Sequence, residues 1–229
     1  EHENQDTFKV VHDFNGGLLV CVFDGHGEYG DDCAQFARDN IEDYLLDAMG
    51  KLNGVEAAFT AALVQLSEAM HGHDDFDDIH SGTTAVVAFF KGAAVHIANV
   101  GDSRAMIGRR VENGEYVIRP LTRDHTAFLR EERHRIIECG GEIMTDVERR
   151  LGGKVDSTKW DAYDNADGKA AEGEDFKGEP RVWAAGQEAP GCAFTRSLGD
   201  SLGEGLGVIA EPVRVHAQPA APTESRLTD

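Results

Sequence analysis

Three aspartates stand where a chain can do metal chemistry. Asp24 closes the apolar run Leu18 to Phe23 and is followed by Gly25-His26-Gly27. Asp102 follows the run ending at Val100, with Gly101 before it, and Asp6, in Asn4-Gln5-Asp6, precedes a further candidate strand. A hard divalent cation such as Mg²⁺ or Mn²⁺ takes carboxylate and carbonyl oxygens, and a neighbouring glycine lets the backbone carbonyl approach it. Taken singly, each aspartate reads equally as turn chemistry; together they point to one cation-binding corner. Two other groups carry less. His71, His73, Asp74, Asp75, Asp77, Asp78 and His80 are irregularly spaced between a predicted helix and a strand, and read as a solvated loop. Asn165, Asp167, Gly168 and Glu174 match four positions of a calcium loop, but Tyr163 occupies the first and no helices flank it.

The elements that must position these residues follow from periodicity. Leu18–Phe23 is short, continuous and partly β-branched, which predicts a buried strand. From Asp31 to Met49 the period becomes helical, with Cys33, Phe36, Ala37, Ile41, Tyr44, Leu45, Ala48 and Met49 on one face. A second amphipathic helix is predicted from about Val55 to Met70. Strand character returns over 83–90, 93–100, 104–108 and 116–119, with a hairpin turn at Lys91-Gly92. A charged helix over 128–139 stops at Gly140-Gly141. From Leu151 to Pro190 the pattern dissolves into a long polar excursion, a length that in a compact domain is usually functional. The order of elements predicts an α+β layered domain.

Composition excludes several functions. The 229 residues hold 42 acidic against 22 basic side chains, a formal charge of -20. That balance argues against a nucleic-acid partner or an anionic membrane surface, both of which recruit Lys and Arg. No apolar run reaches the length of a membrane span. The four cysteines, Cys21, Cys33, Cys139 and Cys192, form no CxxC pair and read as reduced thiols of an intracellular compartment, cytoplasmic or nuclear. Cys21 and Cys33 lie in apolar patterns as small buried hydrophobes.

The motifs together resemble the metal-dependent protein phosphatases of type 2C, the PPM family of serine/threonine phosphatases. The matching segments run in order: Glu3-Asn4-Gln5-Asp6; Val22-Phe23-Asp24-Gly25-His26-Gly27; Ser81-Gly82-Thr83-Thr84-Ala85; Ala98-Asn99-Val100-Gly101-Asp102-Ser103-Arg104-Ala105; Leu121-Thr122-Arg123-Asp124-His125; and Ala193 through Asp200, then Glu211-Pro212.

The resemblance implies a four-layer α-β-β-α sandwich, a central antiparallel β-sandwich flanked by helices. It implies one phosphatase domain over 1–229, truncated at both ends, with the excursion at about 151–190 as a flap-like insertion near the active site. Two Mn²⁺ or Mg²⁺ ions would be held by Asp6, Asp24 and the Gly25 carbonyl, with Asp102 at the position of a third, weakly held metal. Paired cations roughly 4 Å apart present a hydroxide to phosphorus, and His26 would protonate the departing serine or threonine oxygen. Substrates would be phosphoproteins. Bound cations would also reverse the local field of an acidic protein, which otherwise repels phosphate. Arg104, Arg196 and Asp200 read as supporting residues held in ion pairs. The family's later Asp-Gly strand and Asp-Asn pair have no counterpart before Asp229. This leaves a second expectation, a catalytically incomplete binding or regulatory module on the same fold; a third, a calcium-binding interaction protein, rests on the two weaker groups.

Overall fold

A computed structural model describes residues 4–111, 114–153, 156, 159–160 and 178–217. The chain opens with a hairpin, β1 (Asp6–Phe14) and β2 (Gly17–His26), whose turn residues Asn15 and Gly16 both have positive φ (45° and 75°). Two central residues with φ above zero match the right-handed twist of the flanking strands, so Asn-Gly fixes both the turn and the register. That register places Asp6 opposite Asp24.

Two helices follow, α1 (Gly30–Lys51) and α2 (Val55–Met70), close to the predicted spans. The loop between them turns at Gly54, where φ is 98°. The chain then returns through β3 (Gly82–Thr83), β4 (Ala85–Lys91) and β5 (Ala94–Val100). With β11 (Leu198–Gly199) and β12 (Val213–Ala217) these build a seven-stranded sheet, ordered β11-β3-β2-β4-β5-β12, with β1 also paired to β2. Every pairing in it is antiparallel.

Alternation along β2 divides its two faces. Leu19, Cys21 and Phe23 are fully buried against the helices with Ala37, Ile41 and Leu45 of α1 and Phe59, Leu63 and Leu66 of α2. Truncating one of these large side chains to alanine costs about 2–5 kcal/mol. The alternate residues of β1 and β2 point the other way: Phe8, Val10 and Val22 are exposed, and Asp6 and Asp24 continue that row.

Beyond the sheet, β6 (Met106–Arg110) and β7 (Tyr116–Pro120) form an exposed hairpin. A second core gathers around α3 (Arg130–Glu138), where Ile136 packs with Ile143, Val182 and Trp160. Its strands are β8 (Gly141–Thr145), β9 (Pro180–Ala184) and β10 (Pro190–Cys192), with the short helix α4 (Asp146–Arg150) between the first two. Strand β9 falls inside the stretch read as an unbroken polar excursion. Its five residues, Pro-Arg-Val-Trp-Ala, are too few for periodicity to register, yet Val182 is fully buried and Trp183 nearly so. A last short helix, α5 (Ser201–Glu204), follows β11. The fold is mixed α and β with a central antiparallel sheet flanked by helices.

Candidate active site

The site is built at the end of β2, where the buried strand breaks into Asp24-Gly25-His26-Gly27. Asp6 and Asp24 face each other across the β1–β2 ladder. Partial burial pushes the Asp24 carboxyl up, and the charge and hydrogen bonding of Asp6 push it further. Asp102 adds to the same effect. Such crowding raises the pKa because two like charges at close range cannot both ionise freely. A cation between them would reverse the effect, and an all-oxygen donor pair suits a hard divalent ion.

The glycines after Asp24 are required by close approach. A Cβ on Gly25 would lie 2.1 Å from the Gly30 carbonyl oxygen, and one on Gly27, where φ is 85°, would lie 2.3 Å from the His80 carbonyl oxygen. Gly25 N–H donates to the Gln5 carbonyl, and the Gln5 side-chain amide donates to the Gly27 carbonyl. These bonds tie the residue before β1 to the end of β2 and the turn that follows it.

Asp102 is held by a different set. Gly101, with φ at 94°, donates its N–H to His125 Nδ1 (3.2 Å) and accepts from His125 N–H (3.0 Å). The fully buried Asn99 donates to the carbonyls of Gly101 and Arg123. His125 is 2% exposed, and burial pushes its pKa down to about 3, with Arg196 adding in the same direction. It is therefore a neutral ring at physiological pH, as an Nδ1 acceptor must be. Burial also raises the Asp102 carboxyl. Thr84 joins the two halves: its N–H donates to the Asp24 carbonyl, its hydroxyl accepts from Asp24 N–H, and the same hydroxyl bonds Ser103 at 2.7 Å.

Asp24, His26, Thr84, Asp102, Arg181 and Asp200 line a single cleft of about 380 Å³. His26 Nε2 lies 2.6 Å from Asp200 Oδ2, and the His26 ring packs on Phe194 at 4.3 Å between centroids. Arg181 Nη1 donates to the Gly191 carbonyl at 2.7 Å. Its guanidinium places positive charge in a cleft that also holds the carboxylates of Asp24, Asp102 and Asp200.

Of the residues singled out from the sequence, Asp24, His26 and Asp102 share the cleft, Asp6 opposes Asp24, and Gly25 lies between Asp24 and His26 on the same strand. Asp6 and Asp24 fit a divalent cation as a pair; among the described residues no group of three or more His, Cys, Asp or Glu stands close enough to hold an ion. Arg104 pairs with Asp124 at 2.7 Å, and Arg196 with Glu132 at 2.6 Å. Glu132, 1% exposed, also accepts from Arg135 and the Thr195 hydroxyl. These cationic donors outweigh its burial and hold the carboxyl far below the usual carboxylate range.

Sequence reasoning missed the roles of Thr84, His125 and Arg181. His125 carried a readable signal, a histidine inside a matched motif; Arg181 carried none, because it belongs to a strand concealed in the polar stretch. Most of the segment 71–80 is exposed, as expected, but Asp78 is 3% exposed and bonds His71 Nδ1 at 2.5 Å and Ser201 Oγ at 3.2 Å. Burial opposes protonation of His71, but its bond to Asp78 raises the pKa overall. The calcium-loop candidates Tyr163, Asn165, Asp167, Gly168 and Glu174 lie outside the described residues. Cys21, Cys33 and Cys192 are buried free thiols, and no described helix is long and apolar enough to cross a membrane.

Comparison with known proteins agrees with this geometry. The family model for protein phosphatase 2C matches residues 15–224. The chain is 34% identical to "Probable protein phosphatase 2C 35" of Arabidopsis thaliana over 96% of its own length and 61% of the relative's. It is 31% identical to "Protein phosphatase 1K, mitochondrial" of Xenopus laevis, covering 92% of the chain and 46% of the relative. The chain thus spans about half to three-fifths of these curated relatives. Among solved structures, the serine-threonine phosphatase 2C from Toxoplasma gondii superposes with a TM-score of 0.68 at 16% identity, over 97% of this chain and 71% of that one. A C. elegans sex determining protein gives the same score at 22% identity, over 95% and 46%. At such identities the likeness speaks to the fold. With a family match over nearly the whole chain, and with Asp24, Thr84, Asp102 and Asp200 of four of the ordered motifs lining one cleft, the chain belongs to the protein phosphatase 2C family.

Proposed function

We propose that the protein hydrolyses phosphoserine and phosphothreonine in other proteins, with two divalent cations, Mn²⁺ or Mg²⁺, bound at the end of β2. The observation that carries this reading is the cross-strand pairing of Asp6 with Asp24, two residues along β2 from His26, with Asp24 and His26 lining a cleft that also contains Arg181. Asp6, Asp24 and the Gly25 carbonyl would hold the cations, with Asp102 toward a third. When bound, such cations activate water for attack on phosphorus and neutralise charge on the phosphoryl oxygens.

The chain's own groups do the rest. Arg181 supplies a forked cationic donor suited to phosphate oxygens. His26, half-exposed to the cleft, delivers a proton to the serine or threonine oxygen as its bond to phosphorus breaks, so that an alcohol leaves rather than an alkoxide. Phe194 packs on the imidazole and keeps water from one of its faces. The Thr84 hydroxyl keeps Asp24 and the Asp102 loop at fixed separation. We further propose that 1–229 belongs to one phosphatase domain and that it acts on phosphoproteins inside the cell; most of the flap-like stretch 151–190 lies outside the described residues.

The test is phosphate release from a phosphothreonine peptide by the full-length protein. Turnover is expected only with Mn²⁺ or Mg²⁺, and a loss of at least 100-fold in His26→Ala and in Asp24→Ala. Undiminished turnover in chelator, or in the double variant, would end this reading.

A further inference from the structure

The strand pairing around His26 has an unusual composition. The end of β2 and the two-residue strands β3 and β11 run side by side at this corner, and their register aligns His26 with Gly82 and Gly82 with Gly199. The two positions beside the histidine therefore carry no side chain. Across that gap comes Asp200, the residue after Gly199, in the left-handed conformation (φ 53°, ψ 47°) that non-glycine residues seldom adopt. Its N–H donates to the Ser81 carbonyl at 2.9 Å, which fixes the turn. Its carboxylate, 3% exposed, meets His26 Nε2 at 2.6 Å.

The gap is matched to the contact. A Cβ on Gly82 would lie 2.4 Å from Asp200 Oδ2 and 2.8 Å from Ser197 Oγ, so any side chain there would evict the carboxylate. Gly199, with φ at 82°, would bring a Cβ within 2.8 Å of the Ser81 carbonyl oxygen. Among the described residues no Lys or Arg pairs with Asp200; its ion-pair partner is His26. A carboxylate buried beside one imidazole is costly unless the ring's N–H compensates it.

We infer that Asp200 is the positioning residue for the His26 proton donor: by accepting from Nε2–H it commits that nitrogen and leaves Nδ1 as the one that serves the leaving group. The inference rests on the phosphatase reading. In the step itself, a water oxygen bonds to phosphorus as the bond from phosphorus to the substrate oxygen breaks; the breaking bond's electron pair stays on the substrate oxygen, the Nδ1 proton moves to that oxygen, and inorganic phosphate and the alcohol are the products. The ring is left neutral, still donating Nε2–H to Asp200. A buried carboxylate holding an imidazole in one tautomer and orientation is a general means of fixing which nitrogen does chemistry.

Leaving-group chemistry separates this role from mere support. A phosphothreonine peptide expels a strongly basic alkoxide and needs a proton; p-nitrophenyl phosphate expels a weakly basic phenolate and does not. In the full-length protein with Mn²⁺, Asp200→Asn is expected to lower kcat for the peptide by 100-fold or more, with KM within about twofold, while kcat for p-nitrophenyl phosphate changes less than about threefold. His26→Ala should show the same selectivity, and adding Asp200→Asn to it should cost little more. Equal losses on both substrates, or none on the peptide, would overturn the inference. If His26→Ala is selective and Asp200→Asn is not, this inference fails and the phosphatase reading survives. If metal is not required at all, that reading fails first. A measurement on the unaltered protein covers the case in which Asp200→Asn does not fold: ¹⁵N spectroscopy of the neutral His26 ring is expected to show the proton on Nε2, and a proton on Nδ1 would refute the assignment.

Discussion

His125 makes the stability of this protein depend on pH in a way that can be calculated. The ring is buried, accepts a hydrogen bond from Gly101 N–H, and has its pKa pushed from 6.5 down to about 3 by burial and then by Arg196. The unfolded chain therefore takes up this proton at a higher pH than the folded one. Stability from this group is complete above pH 6.5 and is lost as pH falls below it, at about 1.4 kcal/mol per unit. By pH 5 the loss is about 2 kcal/mol, and it levels off only near the folded value. His125→Asn keeps an acceptor near Nδ1 but removes the titration. Urea midpoints between pH 7.5 and 5 should fall less steeply in the variant, the difference reaching about 2 kcal/mol at pH 5. His96, whose pKa burial also depresses, contributes equally to both proteins and cancels in the comparison. Parallel pH profiles would show that the Gly101–His125 bond does not hold the ring neutral, and that the account of how the Asp102 loop is anchored is wrong.

Two further outcomes follow from the same geometry. Glu132→Ala would leave Arg135 and Arg196 without their buried acceptor and should cost roughly 3–5 kcal/mol in chemical denaturation, whereas Arg196→Met together with Glu132→Gln should cost less than Glu132→Ala alone. Asp24→Asn relieves the repulsion with Asp6, so the metal-free melting point should rise, by the equivalent of about 1 kcal/mol, while the increase that Mn²⁺ gives the unaltered protein should vanish. A variant that melts lower without metal, or still gains from it, would contradict the assignment of the carboxylate pair.

Much of the fold could be read before any coordinates. The spans of α1 and α2 and the strands β4 and β5 are long and periodic, and in such segments burial dictates the pattern. The short elements could not be read. Strands β3 and β11 have two residues each; β3 exists because β2 offers it a partner and β11 because β3 does, so nothing local announces them. Strand β9 is hidden by its polar surroundings, whereas the Asn15-Gly16 turn is itself a strong local hairpin signal. At the site, residue identities were legible but relations were not. Asp6 and Asp24 could be named as candidates; that they are cross-strand neighbours depends on a hairpin register set nine residues away. Arg181 and the Asp200–His26 contact depend on tertiary closure of segments more than 150 residues apart, which no spacing rule encodes.

The empty places in the ladder beside His26 also change what a mutational survey of this protein would teach. Gly82 has no functional group and Gly199 none either, yet each is a void on which the neighbouring carboxylate depends. A saturation scan scored by growth or turnover would rank both with the acid–base residues, and a reader of the scores alone would assign them chemistry. What such positions contribute is room, a resource that leaves no atom to point at.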